Sequence, residues 1–240
     1  MNSAGLGEWR TAVTPASSFG VVLARIGETQ FPLPGAAAVM LGLVALAMVF
    51  IQGIWLLAQH ANTIAHEGAH AIAGSAVGRT IRSVRLKRNG DGLTIADSGG
   101  TAGNVLFYFA GYLGPSAFGL GAAKLIELGH SIAVVWLTLL LLAVLLLVLR
   151  EWFSFVSVLV IGGLIYLVAR YGSIGANVVL AYGVTWFLLL SGVRKVLDHG
   201  SGAADAHKLV EITHIWRWVW AWLWLAGSIA AVAIGGSLLV

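Results

Sequence analysis

At 240 residues, 59% hydrophobic and only 10% charged, this chain has too few ionisable side chains to cover a soluble domain, which ordinarily carries about a quarter. The absence of cysteine excludes disulfides, thiolate zinc sites and cysteine-held iron–sulfur clusters. The net charge of +4 rests on few basic residues, and most aromatics fall in apolar stretches, so no nucleic-acid partner is expected.

Residues 1–35 are expected to form a flexible arm ending at the breakers Phe31-Pro32-Leu33-Pro34-Gly35. The arm mixes Glu8, Arg10, Arg25 and Glu28 and lacks the compact apolar core of a cleavable signal peptide. An apolar run from Ala36 to Leu57 follows. Gln59, His60, Asn62 and Thr63 interrupt it, and a helical pattern then continues to about Gly78. A single helix over residues 36–78 would reach about 60 Å, twice the ~30 Å thickness of the hydrocarbon. Two readings stand open: two spans with a tight turn near Gln59–Asn62, or one long helix projecting from the bilayer.

Arg79 to Asp97 is the first polar connection. Ile81-Arg82-Ser83-Val84-Arg85-Leu86-Lys87 alternates, Asn89-Gly90-Asp91-Gly92 turns the chain, and Leu93-Thr94-Ile95 follows, which predicts a short β-hairpin. Further spans are expected over roughly residues 103–123, 131–149, 152–170, 174–193 and 216–238, each near the ~20 residues that cross a bilayer. A second polar segment, Arg194 to Ile215, separates the last two. Together these elements predict an all-α polytopic membrane protein with six to seven transmembrane helices and one short β-hairpin. Residues 36–240 are expected to be a single transmembrane domain in the lipid bilayer, and nothing in the sequence assigns an oligomeric state. Arg79, Arg82, Arg85, Lys87 and Arg88 in one connection and Arg194, Lys195 and Lys208 in the other place both on the cytoplasmic side.

One motif carries chemistry. His66 and His70 of His66-Glu67-Gly68-Ala69-His70 stand four residues apart, so on a helix both imidazoles project from one face and can bind a single Zn²⁺. Glu67, beside them, can act as general base toward a zinc-activated water. From 7 His and 6 Glu in 240 residues, the chance expectation for this spacing is only about 0.005. Packed or hydrogen-bonded histidines with an incidental glutamate are the bland alternative, but ionisable groups in an apolar helix are costly and mark function by default.

A catalytic zinc usually takes three protein ligands and keeps one position open. Asp198, His199, Asp205, His207 and His214, together with His60 and His130, have the right chemistry for the third. His130 falls on the opposite side of the membrane, and His60 on another face of the helix. Asp205 is the preferred candidate, with a helix N-cap as its structural alternative. Asp198, in Leu197-Asp198-His199-Gly200, is its main rival.

The motif is followed by the hairpin, then by Ala110-Gly111-Tyr112-Leu113-Gly114-Pro115, and later by Ala204-Asp205-Ala206-His207-Lys208-Leu209. This order resembles the M50 family of membrane zinc metallopeptidases, the site-2 protease class, and particularly its M50B-like branch, over about residues 45–235. The resemblance implies that His66 and His70 bind zinc, that Glu67 is the catalytic base, and that an Asp beside a later span is the third ligand. The M50B-like Ser-Asp-Ala pattern is matched by Ala204-Asp205-Ala206 with the Ser replaced. The Leu-Asp-Gly of site-2 proteases is matched imperfectly by Leu197-Asp198-His199-Gly200. The Asn often found near Gly-Pro in site-2 proteases does not follow Gly114-Pro115 here. The family's activity implies a membrane-anchored protein substrate, such as a regulator released by cleavage, and a multi-pass protein of the cell membrane.

Two classes of function therefore compete. One is an intramembrane zinc endopeptidase; the other is a non-catalytic scaffold or pseudoprotease that retains the motif. The scaffold would show no third ligand near His66 and His70. A transporter would show paired charges or broken helices in related halves, which the sequence lacks. Trp216, Trp218, Trp220, Trp222 and Trp224 are assigned to anchoring at the membrane interface.

Overall fold

In hydrocarbon no water is present to satisfy backbone N–H and C=O groups, so long uncharged stretches close their hydrogen bonds internally as helices. The computed structural model describes residues 26–240 and has eight helices in that range. They are α1 (Gly35–Phe50), α2 (Gln52–Ala76), α3 (Thr101–Glu127), α4 (Ser131–Leu146), α5 (Trp152–Tyr171), α6 (Ile174–His199), α7 (Ala204–Thr213) and α8 (Arg217–Leu239). A two-stranded sheet, β1 (Ile81–Leu86) and β2 (Gly92–Ala96), follows α2 as its sequence pattern predicts. Residues 1–25, most of the expected arm, lie outside the described residues. Within its remainder, the Gln30 N–H donates to the Gly129 carbonyl at 2.7 Å and the Leu33 N–H to the Tyr182 hydroxyl at 3.2 Å.

Among the described residues, α3, α5, α6 and α8 are long and apolar enough to cross a bilayer, and the pair α1–α2 makes a fifth span if counted as one. This is fewer than the expected six to seven. At 16 residues, α4 reaches only about 24 Å, short of the hydrocarbon thickness. Neither open reading of residues 36–78 describes the chain: α1 and α2 meet at 99°, at the single extended residue Ile51. Gln59, His60, Asn62 and Thr63 lie inside α2 instead of turning the chain. The hairpin explains this, because the Thr63 hydroxyl donates to the Gly90 carbonyl at 2.6 Å and so makes a polar helix face useful. Large side chains such as Leu57, Leu140 and Leu164 stand exposed on the outer helix faces, the surface that lipid covers. The chain is an integral, multi-pass membrane protein.

α3 is the central helix, packed against α2, α6, α7 and α8. Small residues make that possible. A Cβ on Gly114 would lie 2.2 Å from the Ala69 Cβ of α2, and one on Gly119 would lie 2.9 Å from Leu189 of α6. In membranes, where apolar contact with lipid competes with apolar contact between helices, such close approach supplies the packing that holds helices together. On the other flank, Tyr112 stacks on Trp224 of α8 with ring centroids 4.5 Å apart, and the Trp224 indole donates to the Phe109 carbonyl at 3.0 Å.

The hairpin is pinned at both edges. β1 and β2 pair antiparallel from Ile81↔Ala96 to Leu86↔Gly92, with a bulge between Ile81 and Ser83. The outer edge of β1 is occupied: the Val84 N–H donates to the Val148 carbonyl at 2.9 Å and the Leu86 N–H to the Ser154 hydroxyl at 2.7 Å. Gly90 holds the tight turn with φ of +87°, a conformation costly for other residues, and its backbone rests directly on Gln59. β2 is thereby laid across the polar face of α2.

Candidate metal centre

α2 presents His66 and His70 on one face, one turn apart, with ring centroids 4.8 Å apart and both side chains buried. Their Nε2 atoms are 3.2 Å from each other. Asp205 Oδ2 lies 3.2 Å from His70 Nε2 and 3.3 Å from His66 Nε2. It comes from the first turn of α7, which the short 3₁₀ turn Gly200–Gly202 directs back toward α2. Asp205 is not the N-cap: Ala203 holds that position, with no side-chain capping bond. A carboxylate in the first turn is favoured by the helix dipole. Burial disfavours the charged form, but the adjacent His70 and His66 imidazoles outweigh it and hold the Asp205 carboxyl well below the usual carboxylate range.

These three atoms form an almost equilateral triangle. In a tetrahedron around zinc, with bonds of about 2.0–2.1 Å, ligand atoms stand about 3.3–3.4 Å apart. The observed edges of 3.2, 3.2 and 3.3 Å fit that geometry within a few tenths of an ångström. The donor set, two imidazoles and one carboxylate, also fits a catalytic zinc with one open position. His70 Nδ1 lies 2.7 Å from the Phe107 carbonyl, which can only accept, so Nδ1 carries the proton and Nε2 keeps its lone pair for a metal. Of His, Cys, Asp and Glu side chains among the described residues, His66, His70 and Asp205 form the group able to hold an ion.

Glu67 occupies the next position on α2 and is 3% exposed. Its Oε2 accepts from the Thr94 hydroxyl of β2 at 2.6 Å. A Cβ on Gly92 would lie 2.2 Å from Glu67 Oε1, so β2 approaches the carboxylate closely only because residue 92 has no side chain. From the other side, α3 comes equally near. A Cβ on Gly111 would lie 2.3 Å from His70 Nε2 and 2.8 Å from His66 Nε2. Pro115, one turn on, has no N–H and leaves the Gly111 carbonyl without its usual helical donor. The whole group opens into a cavity of about 430 Å³, whose walls also include Asp91, Tyr112, Lys195 and His199.

Residues 39–235 match the family model described as Peptidase M50B-like. The chain belongs to that peptidase family. No curated protein and no solved structure matches this M50B-like chain.

Of the ligand and base candidates singled out in the sequence, the fold brings His66, Glu67, His70 and Asp205 together in one cavity, with His199 also on its wall. Asp198 is engaged by Arg194 at 3.0 Å. His60 packs edge-on against Phe153, with ring centroids 5.7 Å apart, and His214 ends α7 in the left-handed conformation. His199 lines the cavity but does not join the triangle. Among the cavity residues given no site role in the sequence are Gly92, Thr94 and Lys195. Gly92 looked like a turn residue, Thr94 like the polar phase of a strand, and Lys195 like a topology charge. Only the spacing of a lysine inside an otherwise apolar helix offered a hint, and then only for Lys195.

Proposed function

We propose that this M50B-like protein is a zinc endopeptidase that hydrolyses a peptide bond in or beside a membrane span of a membrane-anchored protein. The observation that carries the reading is the triangle of His66, His70 and Asp205 atoms with edges of 3.2–3.3 Å, in one cavity with a buried glutamate. It favours an enzyme over a scaffold that merely retains the motif, since a scaffold has no reason to keep a carboxylate at ligand distance from both imidazoles.

His66, His70 and Asp205 would hold the zinc, which would supply Lewis acidity and a water that ionises near neutral pH. Glu67 takes the proton of the attacking water and delivers it to the nitrogen of the leaving amine. The Thr94 hydroxyl fixes one carboxylate oxygen of Glu67, which leaves Oε1 for that proton. Phe107, through its carbonyl, keeps the His70 ring in the metal-binding tautomer. The hairpin and α7 form the rim of the cavity, and the basic residues of both segments favour the cytoplasmic side of a cell membrane. A substrate reaches the site from that side as an extended, locally unwound segment, because a peptide bond within an intact helix has no room for an attacking water.

The test uses protein purified in detergent, its metal content, and cleavage of fluorescein-labelled casein as an unfolded probe. About one zinc per chain is expected, with cleavage falling roughly 100- to 10,000-fold in Glu67→Gln while the zinc stays. Undiminished cleavage by Glu67→Gln, or wild type without zinc, would sink the reading.

A further inference from the structure

Among the described residues only two Lys or Arg side chains are buried, Arg79 and Lys195. Arg79 is outside the cavity: it donates to the Asp97 carbonyl and lies over the Phe107 ring at 4.1 Å. Lys195 is not. It sits on the membrane helix α6, is 7% exposed, and lines the same cavity as Glu67 and the His66–His70–Asp205 triangle. Four carboxylates lie within its electrostatic reach: Asp91, Glu67, Asp198 and Asp205. Each is committed elsewhere. Asp198 pairs with Arg194, Asp205 faces the two imidazoles, Glu67 accepts from Thr94, and Asp91 accepts from the Asn89 amide. Lys195 therefore has no ion pair or hydrogen bond of its own among the described residues.

A lysine in a membrane helix with no ion pair or hydrogen bond of its own is expensive to keep, and such a residue is expected to have a functional counter-charge. The cavity already contains a base and a ligand set. The chemistry also calls for a donor to the negative charge that appears on the substrate during the reaction, and Lys195 is the buried cation that lines the cavity.

We propose that Lys195 is a catalytic residue, whose ammonium group receives the carbonyl oxygen of the scissile bond and stabilises the charge developing there. The inference rests on the peptidase reading. As the water oxygen bonds to the carbonyl carbon, the C=O π pair moves onto the carbonyl oxygen and Glu67 takes the water proton. Lys195 holds that oxygen by charge-assisted hydrogen bonds while the tetrahedral centre exists. When the C–N bond breaks, the oxygen's electron pair re-forms the C=O, and the leaving nitrogen takes the proton from Glu67. Lys195 keeps its own proton throughout.

The test uses full-length wild type and the variants Lys195→Met and Lys195→Arg in detergent. It measures zinc content and the binding of two probes, a peptide phosphonamidate, whose anionic tetrahedral centre mimics the charged oxygen, and a peptide hydroxamate, which lacks that centre. Lys195→Met is expected to keep wild-type zinc and hydroxamate affinity and to lose about 100-fold in phosphonamidate affinity, the size of one lost oxyanion donor. Lys195→Arg is expected to recover most of it. Equal phosphonamidate affinity in wild type and Lys195→Met overturns the proposal. So does a loss of zinc or folding in both variants, which makes Lys195 a structural residue. Wild type without zinc overturns the peptidase reading, and this inference with it.

Discussion

Gly111→Ala tests how closely α3 is fitted over the metal centre. The added Cβ would stand 2.3 Å from His70 Nε2, 2.6 Å from His70 Cε1 and 2.8 Å from His66 Nε2. Ordinary non-bonded contact begins near about 3.5 Å, so the overlaps are roughly 1.2, 0.9 and 0.7 Å. Neither side yields easily. The His70 ring is held by its 2.7 Å bond to Phe107, and α2 and α3 are already in contact at Ala69 and Gly114. Zinc sites tolerate about 0.2 Å of error in a bond, several times less than the movement required. The expected loss of zinc affinity therefore exceeds the roughly 10–100-fold cost of removing a supporting outer hydrogen bond. Overpacking adds a folding penalty of about 1–3 kcal/mol. The assay is zinc retained after dialysis against a competing chelator, beside thermal unfolding of the metal-free protein. Gly121→Ala on the same helix is the control, since a Cβ there meets nothing within 4 Å. It is expected to leave zinc unchanged and to raise stability by up to about 1 kcal/mol through helix propensity. Wild-type zinc affinity in Gly111→Ala would refute the close fit on which the site geometry depends.

Asp205→Ala is expected to abolish zinc retention, whereas Asp198→Ala keeps it and costs at most about 1 kcal/mol, the worth of its part-exposed pair with Arg194; metal analysis of both variants decides between the two aspartates. Gly92→Ala is expected to leave zinc in place but push Glu67 from its position, since the new Cβ would lie 2.2 Å from Oε1; casein cleavage falling at least about 100-fold at full zinc content is the expected signature. Thr94→Val removes the hydroxyl that donates to Glu67 at 2.6 Å, and thermal unfolding should show a loss of about 1.5–3 kcal/mol with zinc unchanged. An unaltered unfolding temperature in Thr94→Val would mean that the hairpin does not hold the base.

Much of this protein was legible one residue at a time. Low charge and long uncharged stretches require membrane helices, because backbone groups in hydrocarbon must bond within their own segment. The His66-Glu67-Gly68-Ala69-His70 spacing specifies one helix face through the 3.6-residue turn alone, and Asn89-Gly90-Asp91-Gly92 between alternating runs specifies the hairpin. The third member of the triangle was legible only as a preference for Asp205 over Asp198, since both are acidic and both stand near the end of α6. Only the return of the chain through Gly200–Gly202 puts Asp205 at the imidazoles and leaves Asp198 to Arg194. The break at Ile51 and the short α4 escaped the sequence for a related reason. Gly53 is an isolated glycine of the kind helices tolerate, and hydropathy does not reveal where an apolar helix stops. Gly92, Thr94, Gly111 and Lys195 matter because β2, α3 and α6 are packed against α2, and which residues meet across those contacts is a property of three-dimensional packing. Periodicity determines what a segment is; close packing between segments distant in sequence determines what surrounds the site.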